Sequence, residues 1–164
     1  MIALLDQVTD RIGRAVAWLM LVMVAVTVVV VVLRYALDEG AVVLQESVMY
    51  MHGLAFLLGI PFALKEDAHV RVDLVYARLG TRGRAWVDLV GHVLFLVPVS
   101  VAIAVYSYGY AANAWRIMEG SPEVGGIPGI FLLKTLLPLM AVLLLLQGVA
   151  GIARCIAILR APRG

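Results

Sequence analysis

Four long apolar runs constrain this chain more than any other feature of its sequence. The hydrocarbon core of a bilayer is about 30 Å thick, and a helix needs roughly 20 apolar residues to cross it. Because an unpaired backbone amide in lipid is costly, each crossing segment must be helical. The sequence therefore predicts an all-α integral membrane protein with four transmembrane helices. The apolar runs are Ala15–Leu33, Val48–Leu64, Leu89–Trp115 and Thr135–Ala153.

Composition and length support a chain that lies mainly in lipid. Of the 164 residues, 63% are hydrophobic and 15% are charged, whereas soluble domains have about 25% charged residues. The connections between the spans are too short for a soluble catalytic domain, so we expect a single membrane domain over residues 1–164. The predicted spans are about 15–33, 44–64, 86–115 and 130–153.

Basic residues predict how the spans are oriented. Lys and Arg close to span ends are retained on the cytoplasmic side of a membrane. Only Arg34, Arg116 and Lys134, of the 13 Lys and Arg residues, lie in the first and third connections. The sequence therefore predicts two hairpins, with both termini and the middle connection in the cytoplasm and two tips on the far side. This basic excess fits contact with membrane lipid, and no nucleic-acid partner is expected.

The middle connection and the third span have patterns of their own. Val72, Val75 and Leu79 recur at helical spacing, which favours a short amphipathic helix at the membrane interface. A cytoplasmic extension of the neighbouring helices is the other interpretation. The third span is long for one crossing, about 45 Å from Ala85 to Trp115, so it must tilt, bend or protrude. Prolines could kink three of the four spans. They are Pro61, Pro98 and Pro138.

Charged residues at the far-side tips are the first candidates for a function, because such residues are expensive inside or beside a membrane span. Arg34 closes the first span and Glu46 opens the second, so an ion pair could join them across the hairpin. Alternatively, the dipole at a helix N-terminus favours the carboxylate and the arginine extends toward the interface. The second tip, residues 119–129, is rich in Gly and Pro. It is either a plain connector or a contact for a partner.

Histidines in a four-helix membrane bundle could ligate haem. His52 lies about 18 Å above the cytoplasmic end of its span, whereas His92 lies only about 9 Å above that of the next. One haem iron could not readily bind both. The sequence shows no nucleophile with a base and no metal-ligand cluster, so we predict no catalytic, cofactor-binding or metal site and no enzymatic activity.

The region between the first and third spans resembles a known family. Arg34-Tyr35, Gln45-Glu46, Tyr50, Leu58-Gly59 and the segment from His69 to Asp73 are similar to the small membrane subunit of tripartite ATP-independent periplasmic (TRAP) transporters, the DctQ-like family. Ile127-Pro128 before the last span also fits. Relatives often carry tryptophans near the start of the second span, where this chain has Leu44, His52 and Gly53.

The resemblance implies an accessory protein of the bacterial inner membrane without a cofactor of its own. Its partners would be a large membrane subunit, which holds the substrate and sodium sites, and a periplasmic solute-binding protein that captures organic acids. The small subunit would stabilise the scaffold of the large one and help to dock the binding protein. The resemblance places Arg34, Tyr35 and Glu46 at the periplasmic edge as structural or docking positions. It places His69, Arg71 and Asp73 at the cytoplasmic edge.

Small residues could bring helices close together within this subunit or against the large one, because helix association in lipid depends on close packing. The candidates are Gly53, Gly59, Gly91 and Gly148. Two other classes of function remain open: a membrane anchor that binds haem or quinone for a redox enzyme, and a small channel or exporter that works alone.

Overall fold

Four helices form the part of the chain that the structure describes, a computed structural model covering residues 2–68, 76 and 78–161. They are α1 (Ile2–Ala36), α2 (Val42–Lys65), α3 (Thr81–Arg116) and α4 (Ile130–Arg160). All four are long and apolar enough to cross a membrane, and the described residues contain no strand. The predicted all-α fold with four membrane-spanning helices is confirmed.

The helices form two antiparallel hairpins, α1 with α2 and α3 with α4. Helix α4 contacts all three other helices and contributes more buried residues than any other described helix, among them Ala141, Gly148 and Gly151. Helix α1 lies at the outside. In its most apolar stretch no residue is buried, against 39% in the corresponding stretch of α4. The bundle is therefore centred on α4, and the most apolar stretch of α1 packs on it without burying any residue fully.

A narrow apolar seam attaches α1 to α2. Its residues recur at intervals of three and four and are half-buried, whereas the rest of the apolar part of α1 is exposed. This spacing is the one that keeps a single face of a helix against a neighbour. The seam consists of Ile12, Val16, Leu19, Met23, Val26, Val30 and Leu33.

The long helix α3 contains a change of helical type. The segment His92–Leu96 is a π-helical turn between the α-helical segments Thr81–Gly91 and Val97–Arg116. Pro98 has no N–H to donate and its ring would press against the carbonyl of Leu94 in a regular α-helix. A π-helical turn widens the helix at this point. Pro98 thus coincides with a local irregularity in α3, while Pro61 and Pro138 lie inside α2 and α4.

Two of the four glycines singled out from the sequence do sit at close helix contacts. A Cβ on Gly53 would lie 2.7 Å from Leu133, and one on Gly148 would lie 2.8 Å from Leu96. Gly59 has no described atom within 4 Å of the place where a Cβ would be. The same holds for Gly91, so these two glycines make no close contact within the described part of the subunit.

Gly13 and Gly151 also sit at close contacts, although the sequence did not single them out. A Cβ on Gly13 would fall against the ring of Phe62, 2.6 Å from Cε2, and one on Gly151 would lie 2.9 Å from Cδ2 of His92. Both contacts join different helices, and in both the partner is an aromatic ring. Side chains elsewhere in the chain thus decide which glycines are needed.

We expect Gly13→Ala to lower the thermal unfolding temperature of the detergent-solubilised protein. The new methyl group must displace the Phe62 ring, and overpacking of this kind typically costs about 1–3 kcal/mol. The matched control is Gly59→Ala, where the structure leaves room for the methyl group. Equal unfolding temperatures for the two variants would contradict the close α1–α2 contact.

The amphipathic helix predicted for the middle connection cannot be placed, because most of its residues lie outside those that the structure describes. Of that stretch, only Tyr76 and Arg78–Gly80 are described. His69, Arg71 and Asp73 also lie outside the described residues.

Candidate functional site

Two polar layers mark the ends of the bundle. One contains Glu46 near the start of α2 and is here called the Glu46 edge; the other contains Lys65 at the end of α2 and is called the Lys65 edge. Nineteen helical residues separate them, which corresponds to about 28 Å. This matches the thickness of the hydrocarbon core of a bilayer, about 30 Å. The two layers are thus spaced as membrane boundaries would be.

At the Glu46 edge, a buried carboxylate fastens the loop between α3 and α4. The backbone N–H of Ile127 donates to Glu46 Oε2 at 2.5 Å, and the hydroxyl of Ser121 donates to Oε1. Glu46 is a buried charged residue near the start of α2. Hydrogen bonds to a charged group contribute more than neutral ones, about 1.5–3 kcal/mol each. Glu46 therefore ties the second hairpin to the first.

The loop is also fixed from within, by a small set of backbone bonds. The N–H of Ser121 donates to the carbonyl of Ile127 at 3.2 Å, and the N–H of Glu123 donates to the Ser121 hydroxyl oxygen at 3.0 Å. Gly125 has a φ of 80°, a conformation that glycine adopts without strain. A Cβ on Gly126 would lie 2.7 Å from Oε1 of Glu46. The glycines let the loop turn back and lie directly against the carboxylate.

A second set of contacts holds the ends of α3 and α4 at the same edge. Lys134 donates to both carboxylate oxygens of Glu119, at 2.7 and 2.6 Å, and its ammonium lies 4.1 Å from the centre of the Tyr110 ring. The indole N–H of Trp115 donates to Thr135 Oγ1 at 2.8 Å. Glu119, the first residue of the loop, is thereby anchored to α4, and the Trp115–Thr135 bond joins α3 to α4 beside it.

The middle of the loop is presented outward. Pro122–Gly125 is exposed, and Val124 has 96% of its surface accessible. An apolar side chain held almost fully exposed on a fastened loop is suited to contact with another protein, because little conformational entropy remains to be lost on binding. We name Pro122–Gly125 the loop tip.

Arg34 and Tyr35 do not join this cluster. Both are exposed, and Tyr35 has 82% of its surface accessible. Among the described residues Arg34 forms no ion pair with Glu46, whose two oxygens accept from Ser121 and Ile127 instead. The interpretation of an Arg34–Glu46 pair across the first hairpin is wrong. Glu46 turns toward the α3–α4 loop, while Arg34 stays at the outer end of α1.

At the Lys65 edge, polar contacts join α1 to α2 and to α4. Lys65 forms an ion pair with Asp10, and Arg154 lies 3.4 Å from Asp6. Between the positions of these two ion pairs on α1, the side-chain amide of Gln147 donates to the hydroxyl of Thr9 at 2.7 Å, and both residues are buried.

A cavity of about 340 Å³ opens beside these contacts at the Lys65 edge. Its wall includes Tyr76, whose hydroxyl donates to Asp88 at 2.7 Å, and Arg84, whose guanidinium lies 5.4 Å from the centre of the Tyr76 ring.

The two histidines of the spans lie in different surroundings. His52 is exposed on α2 and stacks on Phe56, with 6.2 Å between the ring centres. His92 lies in the π-helical turn against Gly151, and its Nδ1 is 2.6 Å from the carbonyl of Asp88. They do not form a facing pair. Within the described residues no group of three His, Cys, Asp or Glu side chains could hold a metal ion.

Sequence reasoning identified Glu46 but missed its partners, Ser121 and Ile127. It also missed the Thr9–Gln147 contact. A signal for the second existed, because Gln147 interrupts an otherwise apolar run, and a buried amide needs a hydrogen-bond partner. No comparable signal distinguished Ser121 within its polar loop.

Comparison with known families agrees with the geometry of the bundle. The profile of the family described as "Tripartite ATP-independent periplasmic transporters, DctQ component" matches residues 23–157. The match includes the second part of α1 from Met23, all of α2, α3 and the α3–α4 loop, and nearly all of α4. No curated protein sequence matches the chain.

Proposed function

The chain belongs to the DctQ family, the small membrane component of TRAP transporters, and from this we propose that it serves a sodium-coupled uptake system for organic acids as its accessory subunit. It is a multi-pass protein of the bacterial inner membrane. In the proposed system a separate large subunit holds the substrate and sodium sites, and a periplasmic binding protein delivers the substrate. The observation that carries the proposal is the open apolar surface of a bundle whose Glu46 edge is firmly fixed.

The open apolar surface supports a scaffold role beside a larger membrane protein. Helix α1 has no buried residue in its most apolar stretch, and Gly59 and Gly91 have no described neighbour where a Cβ would be. Small residues let helix backbones approach closely in lipid, where packing rather than the hydrophobic effect drives association. In our proposal the large subunit packs against part of this surface and is held in place by it.

The loop tip supports a docking role on the periplasmic side. Glu46 holds the loop in one conformation, and Val124 stands almost fully exposed on it. We place the solute-binding protein against this tip, while Arg34 and Tyr35 remain structural or docking positions at the same edge. His69, Arg71 and Asp73 remain proposed positions of the cytoplasmic edge.

The proposed orientation places the Glu46 edge in the periplasm and the Lys65 edge in the cytoplasm. It rests on the excess of Lys and Arg in the middle connection and the terminal segments. We expect a single-cysteine variant with Val124→Cys to react with a membrane-impermeant maleimide in spheroplasts. A single-cysteine variant with Arg160→Cys should react only after lysis. Both variants carry Cys155→Ala, which removes the single native thiol.

Labelling of Arg160→Cys in intact spheroplasts would contradict this orientation and would move the proposed docking edge into the cytoplasm. The chain with Cys155→Ala alone, which has no cysteine, is the control for background. Reconstitution of uptake with and without this subunit then tests the accessory role itself.

A further inference from the structure

The outer face of α1 carries two arginines directly below a tryptophan. Arg11, Arg14 and Trp18 are spaced by three and four residues, which places them on one face of a helix. All three are exposed, and Trp18 has 71% of its surface accessible. This face points away from the seam with α2. We call these three residues the Arg11–Trp18 face.

The positive charge of this face is left without a carboxylate partner among the described residues. Asp10 lies one turn from Arg14 but forms an ion pair with Lys65 of α2. Asp6 lies next to Arg154 of α4, and the residue one turn before Arg11 is the neutral Gln7. The nearby acids of α1 are thus engaged by other helices, and both guanidinium groups remain available on the outer surface.

The depth of the face corresponds to the boundary between headgroups and hydrocarbon. The Asp10–Lys65 pair lies at the Lys65 edge, and Arg11 and Arg14 follow within about one turn of it. Trp18 lies about 6 Å further toward the bilayer centre than Arg14. From Leu21 onward, this side of α1 is exposed and apolar. Charge, an indole and an apolar surface follow one another in the order of a phospholipid's phosphate, glycerol region and acyl chains.

We propose that the Arg11–Trp18 face is a binding site for an anionic phospholipid of the phosphatidylglycerol type. The two guanidinium groups bind the phosphate, which a planar fork of donors suits well. The indole of Trp18 lies against the glycerol region, and an acyl chain follows the apolar surface of α1 beyond it. In the proposed orientation this lipid belongs to the cytoplasmic leaflet, and it would line the outer helix of the bundle.

Fluorescence quenching of Trp18 by brominated lipids tests the site. The full chain with Trp86→Phe and Trp115→Phe keeps Trp18 as its single tryptophan. In nanodiscs, brominated phosphatidylglycerol should reach half-maximal quenching at a mole fraction roughly 30-fold below that of brominated phosphatidylcholine, since two arginines near the surface favour the anionic lipid. Arg11→Gln with Arg14→Gln should remove this preference, while the control Arg160→Gln should keep it.

Equal quenching by both lipids in the single-tryptophan chain that keeps Arg11 and Arg14 would overturn the proposal. An equal loss of preference in Arg160→Gln would also overturn it, because the preference would then reflect the total charge of the Lys65 edge. Native mass spectrometry of the chain with its own tryptophans repeats the comparison if the Phe variants cannot be purified. It should detect retained phosphatidylglycerol that the Arg11→Gln, Arg14→Gln variant loses.

A second measurement decides between a lipid and a protein as the occupant of the face. In the assembled transporter, a phosphatidylglycerol with a diazirine in its acyl chain should still label the segment of α1 that follows Trp18. If labelling is seen in the isolated subunit but disappears on assembly, the large subunit covers the face and the lipid site is refuted for the working complex.

Discussion

Replacement of Glu46 by Ala should reduce substrate uptake by the assembled transporter by roughly tenfold without changing which substrate is preferred. The substitution removes the acceptor of two hydrogen bonds, from Ser121 and from the backbone of Ile127. Bonds to a charged group contribute about 1.5–3 kcal/mol each, so a loss of even part of this energy can free the loop, since each 1.4 kcal/mol changes a population tenfold. In the proposed docking role, the released loop then presents its tip to the binding protein for only part of the time.

The measurement is the initial rate of uptake in proteoliposomes at several concentrations of the binding protein, together with hydrogen exchange of residues 119–129. We expect faster hydrogen exchange in the loop and a smaller increase of the uptake rate with the concentration of the binding protein. Glu46→Gln is the matched control, because its amide oxygen can still accept one bond. It should fall between the parent chain and Glu46→Ala.

Val124→Ser separates contact from loop order. This substitution alters the exposed side chain of the tip but none of the bonds that hold the loop, so hydrogen exchange should stay as in the parent chain while uptake becomes less sensitive to the binding protein. A changed substrate preference in either variant would place recognition in this subunit, which contradicts the accessory role.

The four helices could be predicted from the sequence because each apolar run is close to or above the length that a bilayer requires. Where the helices end was less predictable. Helix α1 begins at Ile2, well before its apolar run. The segment up to Arg14 has apolar residues at helical spacing among charged ones, so it continues the helix into the polar layer. Hydropathy records the part of a helix that lies in lipid, and it is insensitive to an amphipathic extension.

The contacts between helices could not be predicted, because they depend on partners far apart in sequence. Glu46 binds residues 75 and 81 positions away, and Thr9 meets Gln147 across 138 positions. The ion pair with Arg34 was the nearest local solution for the Glu46 charge, but a backbone N–H of another hairpin satisfies it. Local spacing identified a costly charge without indicating its partner.

The glycines show the same limit. Gly53, Gly59 and Gly91 look alike in the sequence, yet only Gly53 faces a neighbouring side chain in the described part of the subunit. Gly13 went unnoticed because the ring that occupies its missing side chain comes from Phe62 of another helix. Which face of a helix is buried in lipid cannot be read from hydrophobicity, since the lipid-facing and the packed faces are equally apolar.

We expect transport by this chain to depend completely on a larger partner. In the described part of the chain, the bonds of the buried residues Thr9, Glu46 and Gln147 serve to hold helices and the loop together. Exposed apolar side chains lie on the outside of all four helices. In our proposal a subunit built in this way supplies packing area and a docking tip, and the transport path belongs to its partner. The chain alone should therefore move no solute across a membrane.

The most direct test is uptake into proteoliposomes that contain this chain alone, the large subunit with the binding protein, or all three components. The substrate to be used is the organic acid that best stabilises the binding protein in a thermal-shift screen, and a sodium gradient is imposed to test the proposed coupling. We predict background uptake with this chain alone and strongly reduced uptake with the large subunit and the binding protein alone. Full sodium-dependent accumulation should require all three components. Accumulation by this chain alone, or full activity of the other two components in its absence, would contradict the accessory role.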